Sequence, residues 1–398
     1  MLSPVAPAHG RGGVQDIVWM LCRGLAHRGH DVTLFTTSRA DGVEHDSAEG
    51  VTVHYLRGTP PMRPIGAWAA ESRAAVERLH RERPLDAIHS QSFCGLHLCG
   101  AFAGVAVTVS LHGTHWDELR TRAGLVRESL PGQPLAAAKA AALWALMLGR
   151  YWREGPLLRR AEAVIATSTE QRRVLLERYG VAADRLHDVW NGIDAQLFSP
   201  RPADAALRAS LGGGPIVLAV ARLYQEKGLQ HALRAWPQVL AAHAGATLVV
   251  VGEGPYRSTL DAQARALGIG ARVRFTGSLP LEQLPAHYAA CDAFVNPTVR
   301  INGYDLTILQ AMAHAKPVVV SNIGSVPTAV ADGRDGLLAP PGNAEALAAQ
   351  LRRVLEDPAL AERLGAEARR TIERRFSLDA MVDGSLAAYA AAAKRVSA

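Results

Sequence analysis

Short apolar segments alternate with amphipathic segments along both halves of the chain. The apolar segments are rich in valine, isoleucine and leucine, whereas the segments between them repeat apolar positions at helical spacing. Ten apolar segments are predicted to be strands: Asp31–Thr37, Val51–Leu56, Leu85–His89, Val105–Leu111, Ala163–Ser168, Ile216–Val220, Thr247–Val251, Arg272–Thr276, Ala293–Asn296 and Pro317–Ser321. Strands that alternate with helices form parallel sheets covered by helices on both faces. The pattern predicts an α/β protein with two Rossmann-like domains.

The length of the chain agrees with two domains. Its 398 residues exceed the ~250–300 at which a single hydrophobic core stops growing. Two prolines interrupt regular structure in Phe198–Asp204, which we therefore predict to be the linker. A cleft between the two domains is the expected ligand site.

Composition narrows the class of protein. Hydrophobic residues at 48% and charged residues at 20% are typical of a soluble globular protein. The formal charge of +6 would be compatible with a nucleic-acid partner, but the arginines are scattered and form no compact basic run. We therefore expect no nucleic acid, and the sequence carries no signal for an oligomeric state.

Cysteine usage and hydropathy indicate the compartment. The four cysteines have no metal-ligand spacing, which predicts buried thiols in a reducing compartment; they are Cys22, Cys94, Cys99 and Cys291. Residues 1–20 lack the basic start and apolar run of a signal peptide. The apolar segment 135–148 contains Lys139 and is too short to span a bilayer. We expect a cytoplasmic protein.

Two segments of the second half are suited to bind a diphosphate. Val220–Gly228 ends a strand and places Arg222 and Lys227 in the loop beyond it. Pro297–Ala313 follows another strand and opens a helix, whose first backbone N–H groups are unpaired and partly positive. Two cations and a helix N-terminus can converge on one nucleoside diphosphate.

These segments, together with four shorter motifs, resemble glycosyltransferase family 4, the retaining GT-B sugar transferases. The shorter motifs follow in the family's order: Trp190–Asp194, Val251–Pro255, Pro317–Ser321 and Asp332–Leu337. The resemblance implies a GT-B fold, with two Rossmann-like domains facing an interdomain cleft. It also implies that 376–398 crosses back onto the first domain, which gives domains of 1–197 plus 376–398 and 198–375.

The resemblance implies a set of donor-binding residues, of which Arg222 and Lys227 are also catalytic because they stabilise charge on the leaving diphosphate. The set is Gly12, Gly13, Arg222, Lys227, Gly252, Asn302, Gly303, Tyr304, Asp305, Leu306 and Gln310. Four positions depart from the family. Asn302 and Gln310 replace two glutamates, Asp305 replaces a small residue, and Thr328 replaces a later acid.

By the same resemblance, His112 is the catalytic histidine near the reacting carbon, and His115, Trp116 and Asp117 line the acceptor side. The alternative for the last three is simple loop packing, and for Gly12–Gly13 a tight strand-to-helix turn. The family usually has a full strand before those glycines, where this sequence has only the short segment Met1–Pro7.

The resemblance also implies a mechanism without a protein nucleophile, in which the leaving phosphate oxygen takes the acceptor's proton. No Asp-x-Asp motif is present, so we expect no metal and no other cofactor. The expected donor is a uridine-diphosphate sugar, with glucose or N-acetylglucosamine as the transferred group.

The segment 300–310 most resembles family members that glycosylate aminocyclitols such as 2-deoxystreptamine. Carboxylates at Asp305, Asp117 and Glu118 could pair with the protonated amines of such an acceptor. The alternative for Asp305 is that it caps its helix. Two other functions stay open. One is transfer to lipid or polysaccharide at a membrane, since 135–160 joins apolar residues to arginines. The other is a degenerate transferase fold that binds without turnover.

Overall fold

The computed structural model describes residues 1–10, 12–129, 134–301 and 303–397, with side chains of 124–129 and 134–140 left out of the description. Its contacts form two compact units. The first contains Met1–Gly192 and the segment from Leu378 onward, and the second is Ile193–Ser377. The chain thus changes unit at 192/193 and 377/378, where the sequence predicted 197/198 and 375/376.

The first unit is built on a largely parallel sheet. Its strands are β1 (Val32–Thr37), β2 (His45–Ala48), β3 (Val51–Leu56), β4 (Ala87–Gln91), β5 (Ala106–Leu111), β6 (Ala163–Ala166) and β7 (Leu186–Asp188). They form two ladders, β1-β3-β2 and β4-β5-β6-β7. Leu2 forms parallel bridges to Phe35 of β1 and to Ser90 of β4, and so joins the two ladders. The short segment before Gly12 thereby takes a strand position in this sheet.

One strand of this sheet differs from the predicted pairing, which was parallel throughout. β2 pairs antiparallel with β3, and all four of its side chains are exposed. Glu49 and Gly50 connect the two strands, and both have positive φ angles of 52° and 78°. Two positive φ values are what a two-residue hairpin turn requires. The polar sequence of β2 gave no periodic signal, because neither face of this edge strand packs on the core.

Helices flank the first sheet: α1 (Gly13–His27), α2 (Trp68–Glu82), α3 (His115–Ser129), α4 (Pro134–Leu158), α5 (Thr169–Glu177) and the C-terminal helix Leu378–Val396. α1 is amphipathic and buries Ile17, Val18, Leu21 and Leu25. The C-terminal helix packs closely on α1, since a Cβ on Gly24 would lie 2.5 Å from Val382.

The second unit contains a six-stranded, wholly parallel sheet. Its strands are β8 (Ile216–Val220), β9 (Thr247–Val251), β10 (Val273–Gly277), β11 (Ala293–Asn296), β12 (Val318–Ser321) and β13 (Leu337–Ala339). Their order is β10-β9-β8-β11-β12-β13. The order reverses between β8 and β11, which is the switch point where doubly wound sheets bind ligands beyond the carboxyl ends of the strands. The loops that carry Arg222 and Lys227 and the segment from Pro297 leave the sheet at this point.

Helices cover the second sheet: α6 (Ala205–Ser210), α7 (Leu229–Ala242), α8 (Arg257–Ala266), α9 (Leu284–Ala290), α10 (Leu306–Ala313), α11 (Val326–Ala329), α12 (Ala344–Glu356) and α13 (Pro358–Arg375). The core on one face of the sheet includes Trp236, Leu233 and Val239 of α7, all at most 1% exposed. Two Rossmann-like units are therefore present, and each predicted strand occurs within two residues of its predicted ends. The strands β7 and β13 were not predicted, because three residues are too few to show an alternation of apolar and polar positions.

Candidate active site

The loops that follow β8 and β11 are hydrogen-bonded to each other. The backbone N–H of Val299 donates to the Glu226 carbonyl at 3.0 Å, and Thr298 Oγ1 donates to the same carbonyl at 3.1 Å. Gly228 has a φ of 71°, and a Cβ there would lie 1.9 Å from the Pro297 carbonyl oxygen. Only glycine permits this approach. We call residues 222–228 and 297–301 the phosphate loops, because the sequence predicts that they bind a diphosphate. The hydrogen bonds between the two loops hold them side by side.

A buried ion pair connects the phosphate loops to the start of α10. Lys227 Nζ donates to Asp305 Oδ1, and Asn296 Nδ2 donates to Asp305 Oδ2 at 2.9 Å. Lys227 is only 7% exposed. Lys227 is therefore held at a set position by a carboxylate of its own chain and is not an ordinary surface cation.

The charges in this cluster support one another. Burial by itself would raise the pKa of Asp305, but the nearby Lys227 and Arg300 lower that pKa to about 2. Burial lowers the pKa of Lys227, and the Asp305 carboxylate opposes that change. Both members of the pair are ionised at neutral pH, and the positive charges of Arg222 and Arg300 lie near the pair.

The position of Asp305 bears on the alternative that it caps its helix. Asp305 is the residue that precedes α10, yet its carboxylate makes no capping hydrogen bond to that helix within the described residues. Its two oxygens are instead bound by Lys227 and Asn296. Asp305 therefore holds the N-cap position, where the helix dipole favours an acid, but its carboxylate is bound by a buried ammonium in place of the helix amides.

The two arginines near the ion pair are more accessible. Arg222 is exposed, and its guanidinium lies 5.3 Å from the centre of the Tyr224 ring. Arg300 is partly exposed, and its backbone N–H donates to Thr298 Oγ1 at 3.2 Å. The motif-based prediction missed Arg300. The sequence signal that could have indicated it is that Arg300 lies two residues before the candidate Asn302.

The other donor-binding candidates of the second unit fall into two groups. Gly252 and Gly303 have positive φ, and a Cβ on Gly252 would lie 2.0 Å from the Ala221 carbonyl oxygen, so packing alone demands glycine there. Tyr304 and Leu306 are buried, with the Tyr304 ring packed edge-on against Phe376 at 5.9 Å.

The two family glutamates are replaced by amides, of which one is described. Gln310 is 6% exposed, and its Oε1 accepts a hydrogen bond from the Tyr288 hydroxyl at 2.8 Å. Its amide N–H groups are what this side chain can still offer a ligand. Asn302 lies outside the described residues. Thr328, in place of a third family acid, is buried in α11.

His112 lies in the first unit, directly after β5. Its Nε2 is 2.7 Å from Gln91 Oε1, at the end of β4. Its Nδ1 is buried and has no hydrogen-bond partner among the described residues. Burial lowers the pKa of His112 to about 4, so the imidazole is neutral at physiological pH.

The three acceptor-side candidates all have partners within the first unit. His115 Nδ1 lies 2.5 Å from a Glu154 carboxylate oxygen, and the Trp116 ring packs on Tyr151 at 5.4 Å. Asp117 is 3% exposed; its Oδ2 accepts from Thr114 Oγ1 at 2.7 Å, while Oδ1 is buried with no partner in the described part of the chain. Burial raises the pKa of Asp117.

Gly12 and Gly13 form the entrance to α1. A Cβ on Gly13 would meet no described atom within 4 Å, and one on Gly12 would meet only the end of the flexible Gln15 side chain. Packing within the described residues therefore does not demand glycine at either position. An approaching ligand is one reason for glycine here.

Two further properties concern metals and membranes. In the described ranges, no group of three or more His, Cys, Asp or Glu side chains could hold a metal ion. No helix of those ranges combines the length and apolarity needed to cross a bilayer. The four cysteines are buried and carry free thiols, as the sequence predicted.

Comparisons with known proteins agree with this architecture. Residues 11–197 match the model "Glycosyltransferase Family 4", and residues 205–371 match "Glycosyl transferases group 1". The chain is 30% identical over 367 residues to a glycogen synthase of Mycobacterium tuberculosis, covering 87% of this chain and 83% of the relative. It is 32% identical over 307 residues to a 2-deoxystreptamine glucosyltransferase of Streptomyces kanamyceticus, covering 74% of each.

Among solved structures, a sucrose-phosphate synthase from Thermosynechococcus elongatus superimposes with a TM-score of 0.77 at 24% identity, covering 95% of this chain and 93% of that chain. This similarity concerns the fold. The two family models together cover most of both units, but not the C-terminal helix. The chain therefore belongs to the GT-B glycosyltransferases of family 4, and it is a glycosyltransferase.

Proposed function

We propose that this enzyme transfers glucose or N-acetylglucosamine, with retention of configuration, from a uridine-diphosphate sugar to an aminocyclitol such as 2-deoxystreptamine, and that it acts in the cytoplasm without a metal ion. The uridine base and the retention follow from the family resemblance. The donor diphosphate would bind at the phosphate loops of the second unit. The observation that carries this assignment is the buried Lys227, held by Asp305 beside Arg222 at the switch point.

Charge stabilisation by the phosphate loops would drive departure of the nucleoside diphosphate. Negative charge builds on the leaving phosphate in the transition state, and cations fixed in advance stabilise it without rearrangement. Lys227 is fixed by its ion pair, whereas Arg222 and Arg300 are accessible enough to meet a ligand. The N–H groups at the start of α10 add partial positive charge.

The aminocyclitol acceptor rests on the 2-deoxystreptamine glucosyltransferase relative and on the sequence of 300–310. Of the three carboxylates considered for binding its amines, Asp305 is bound to Lys227, and Glu118 is paired with Arg122 at 2.7 Å. Asp117 keeps one buried oxygen without a partner in the described residues. We assign the amine contact to Asp117, because a protonated amine would both satisfy that oxygen and favour the ionised carboxylate.

Product analysis tests this function. Purified enzyme is incubated with UDP-glucose or UDP-N-acetylglucosamine and 2-deoxystreptamine, and the product is detected by mass spectrometry. We expect a monoglycosylated aminocyclitol, with little product from the N-acetylated acceptor. Asp117→Asn should lower kcat/KM for the diamine by about tenfold, the loss of one charge-assisted bond. Turnover on a glucan primer but not on the diamine would reject the aminocyclitol as the acceptor and keep the transferase activity. Absence of UDP release with every acceptor would indicate a non-catalytic protein.

A second candidate is transfer at a membrane surface, and a specific observation favours it. On α4, Trp144, Leu146 and Trp152 are 43%, 56% and 69% exposed, and Arg150 and Arg153 on the same helix are exposed too. Aromatic, apolar and basic side chains together suit the interface of an anionic bilayer. Co-sedimentation with vesicles that contain phosphatidylserine, lost in Trp144→Ser/Trp152→Ser, would support this candidate; recovery of all protein in the supernatant would reject it.

A further inference from the structure

The side chain that touches His112 is one that no motif pointed to. Gln91 is the last residue of β4, and it pairs in register with Ser110 of the adjacent strand β5. His112 follows β5 two residues later, so the two side chains emerge at the same end of the sheet. Gln91 is 0% exposed, and its Oε1 lies 2.7 Å from His112 Nε2.

The surroundings of Gln91 decide which way its amide faces. Its Nε2 lies 3.2 Å from the thioether sulfur of Met1, which can accept a hydrogen bond but has no proton to donate. The same Nε2 lies 3.4 Å from His89 Nε2. The reversed amide would place its oxygen against the Met1 lone pairs. The carbonyl oxygen of Gln91 therefore points toward His112.

An amide oxygen only accepts hydrogen bonds, and this determines the tautomer of His112. The hydrogen bond at 2.7 Å requires a proton on His112 Nε2. In a neutral imidazole the other nitrogen, Nδ1, then carries a lone pair and no proton. Nδ1 is buried and lacks a partner among the described residues. A buried acceptor without a donor is unfavourable until a ligand supplies one.

We propose that Gln91 is a positioning residue, which holds His112 in the Nε2-protonated tautomer so that Nδ1 accepts a hydrogen bond from a hydroxyl of the bound sugar substrate. The proposal rests on the proposed function, because His112 must lie at the sugar. Sugars present many hydroxyl donors, and a neutral acceptor binds a hydroxyl without the cost of burying a charge. Gln91 acts through the histidine and does not itself touch substrate.

Titratable groups around Gln91 leave this arrangement undisturbed at neutral pH. Burial lowers the pKa of His89 to about 3, and His89 binds the hydroxyls of Ser110 and Tyr389. Burial also raises the pKa of the Cys94 thiol to about 12. These pKa directions keep His89 and Cys94 neutral, so neither of these two groups places a charge beside the His112 proton.

Nitrogen-15 NMR of histidine-labelled protein reads the tautomer directly, without any substrate. His112→Asn identifies the His112 signals among the 15 histidines. We expect a protonated Nε2 and an unprotonated Nδ1 in the wild type, and a shift of the Nδ1 signal toward hydrogen-bonded values when UDP-glucose is added. A proton on Nδ1 in the wild type, or an Nδ1 signal that ignores UDP-glucose at saturation, would overturn the proposal.

Gln91→Met removes the acceptor and keeps the side-chain volume. We expect this variant to show a mixture of tautomers and a kcat lowered about tenfold, with KM for the donor within about twofold. Tyr389→Phe is the matched control, because it removes a hydroxyl from the far side of His89 and should leave the His112 tautomer and kcat unchanged. An unaltered tautomer in folded Gln91→Met would contradict the proposal. Failure to glycosylate aminocyclitols, with the tautomer pattern intact, would reject only the acceptor.

Discussion

The phosphate loops of the second unit and the histidine network of the first, formed by Gln91, His112 and His89, are both polar groups in buried surroundings. The phosphate loops and the adjoining start of α10 hold Lys227 and Asp305 as ions. The histidine network holds His112 and His89 as neutral rings. Burial penalises charge in both places. In the second unit the opposite charges of Lys227 and Asp305 offset this penalty for each other, whereas the histidine network has no such pair.

This difference matches the chemistry that each region would meet. A diphosphate brings negative charge, so cations that are already in place stabilise it best. A sugar ring brings hydroxyls, for which a neutral acceptor suffices. The comparison teaches that the same degree of burial can preserve or abolish ionisation, depending on one partner. The two regions should therefore respond differently to the loss of a cation, to acid and to the removal of metal.

Loss of a cation from the phosphate loops should have the largest effect. We expect Arg222→Ala and Lys227→Met each to lower kcat/KM by ~10²–10³, as loss of transition-state charge stabilisation does. The two variants should differ in stability. Arg222 is exposed, so its loss should leave the free energy of unfolding nearly unchanged, whereas Lys227→Met leaves Asp305 buried without its cation and should cost about 3–5 kcal/mol. Steady-state kinetics and urea unfolding measure the two quantities.

A double variant separates the two roles of Lys227. Lys227→Met/Asp305→Asn removes both charges, so we expect most of the lost stability to return while kcat/KM stays low. Near-wild-type turnover in either cation variant would show that the phosphate loops do not bind the diphosphate.

Acid should destabilise the histidine network before it affects the ion pair. The pKa values of His112 and His89 are lowered to about 4 and about 3, whereas the unfolded chain protonates histidine near pH 6.5. Stability therefore falls as the pH drops from about 6.5 toward 4, by roughly 3 kcal/mol for each histidine. The measurement is urea unfolding between pH 4 and 8, in which His89→Gln should show a shallower decline.

The ion pair provides the contrast to that experiment. Asp305 has a pKa lowered to about 2, so its contribution is complete above the unfolded value near 4 and is lost only as the pH falls toward 2. Asp305→Asn should therefore shift the free energy of unfolding by a constant amount from pH 5 to 8. If Asp305→Asn changed the slope of the unfolding free energy against pH between pH 5 and 8, or if His89→Gln did not change it, the assignment of an ionised pair to one region and neutral histidines to the other would be wrong.

Removal of divalent metal should have the smallest effect. Because Lys227, Arg222 and the start of α10 already supply positive charge, we expect activity in excess EDTA to stay within about twofold of the untreated enzyme. Loss of activity that magnesium or manganese restores would mean that the phosphate loops alone do not neutralise the diphosphate.

Much of the fold could be predicted from the order of apolar and amphipathic segments. The ten predicted strands are present, and most of them show a run of buried residues, as in Ile216–Val220 and Thr247–Val251. The edge strand β2 was not predictable, since its four exposed residues follow no apolar pattern. Pairing of β2 is decided by the Glu49–Gly50 turn and by the neighbouring β3.

The candidate site divides in the same way. Sequence alone determined which residue types are available near the ends of β5, β8 and β11: a histidine, two cations and a helix start with Asp305. Tertiary structure decided which of them touch. Lys227 meets Asp305 across 78 positions, and Gln91 meets His112 across 21, because adjacent parallel strands bring their carboxyl ends together. Motifs specify side chains by local order, whereas ionisation and tautomer depend on partners that only the strand order of each sheet brings within hydrogen-bonding distance.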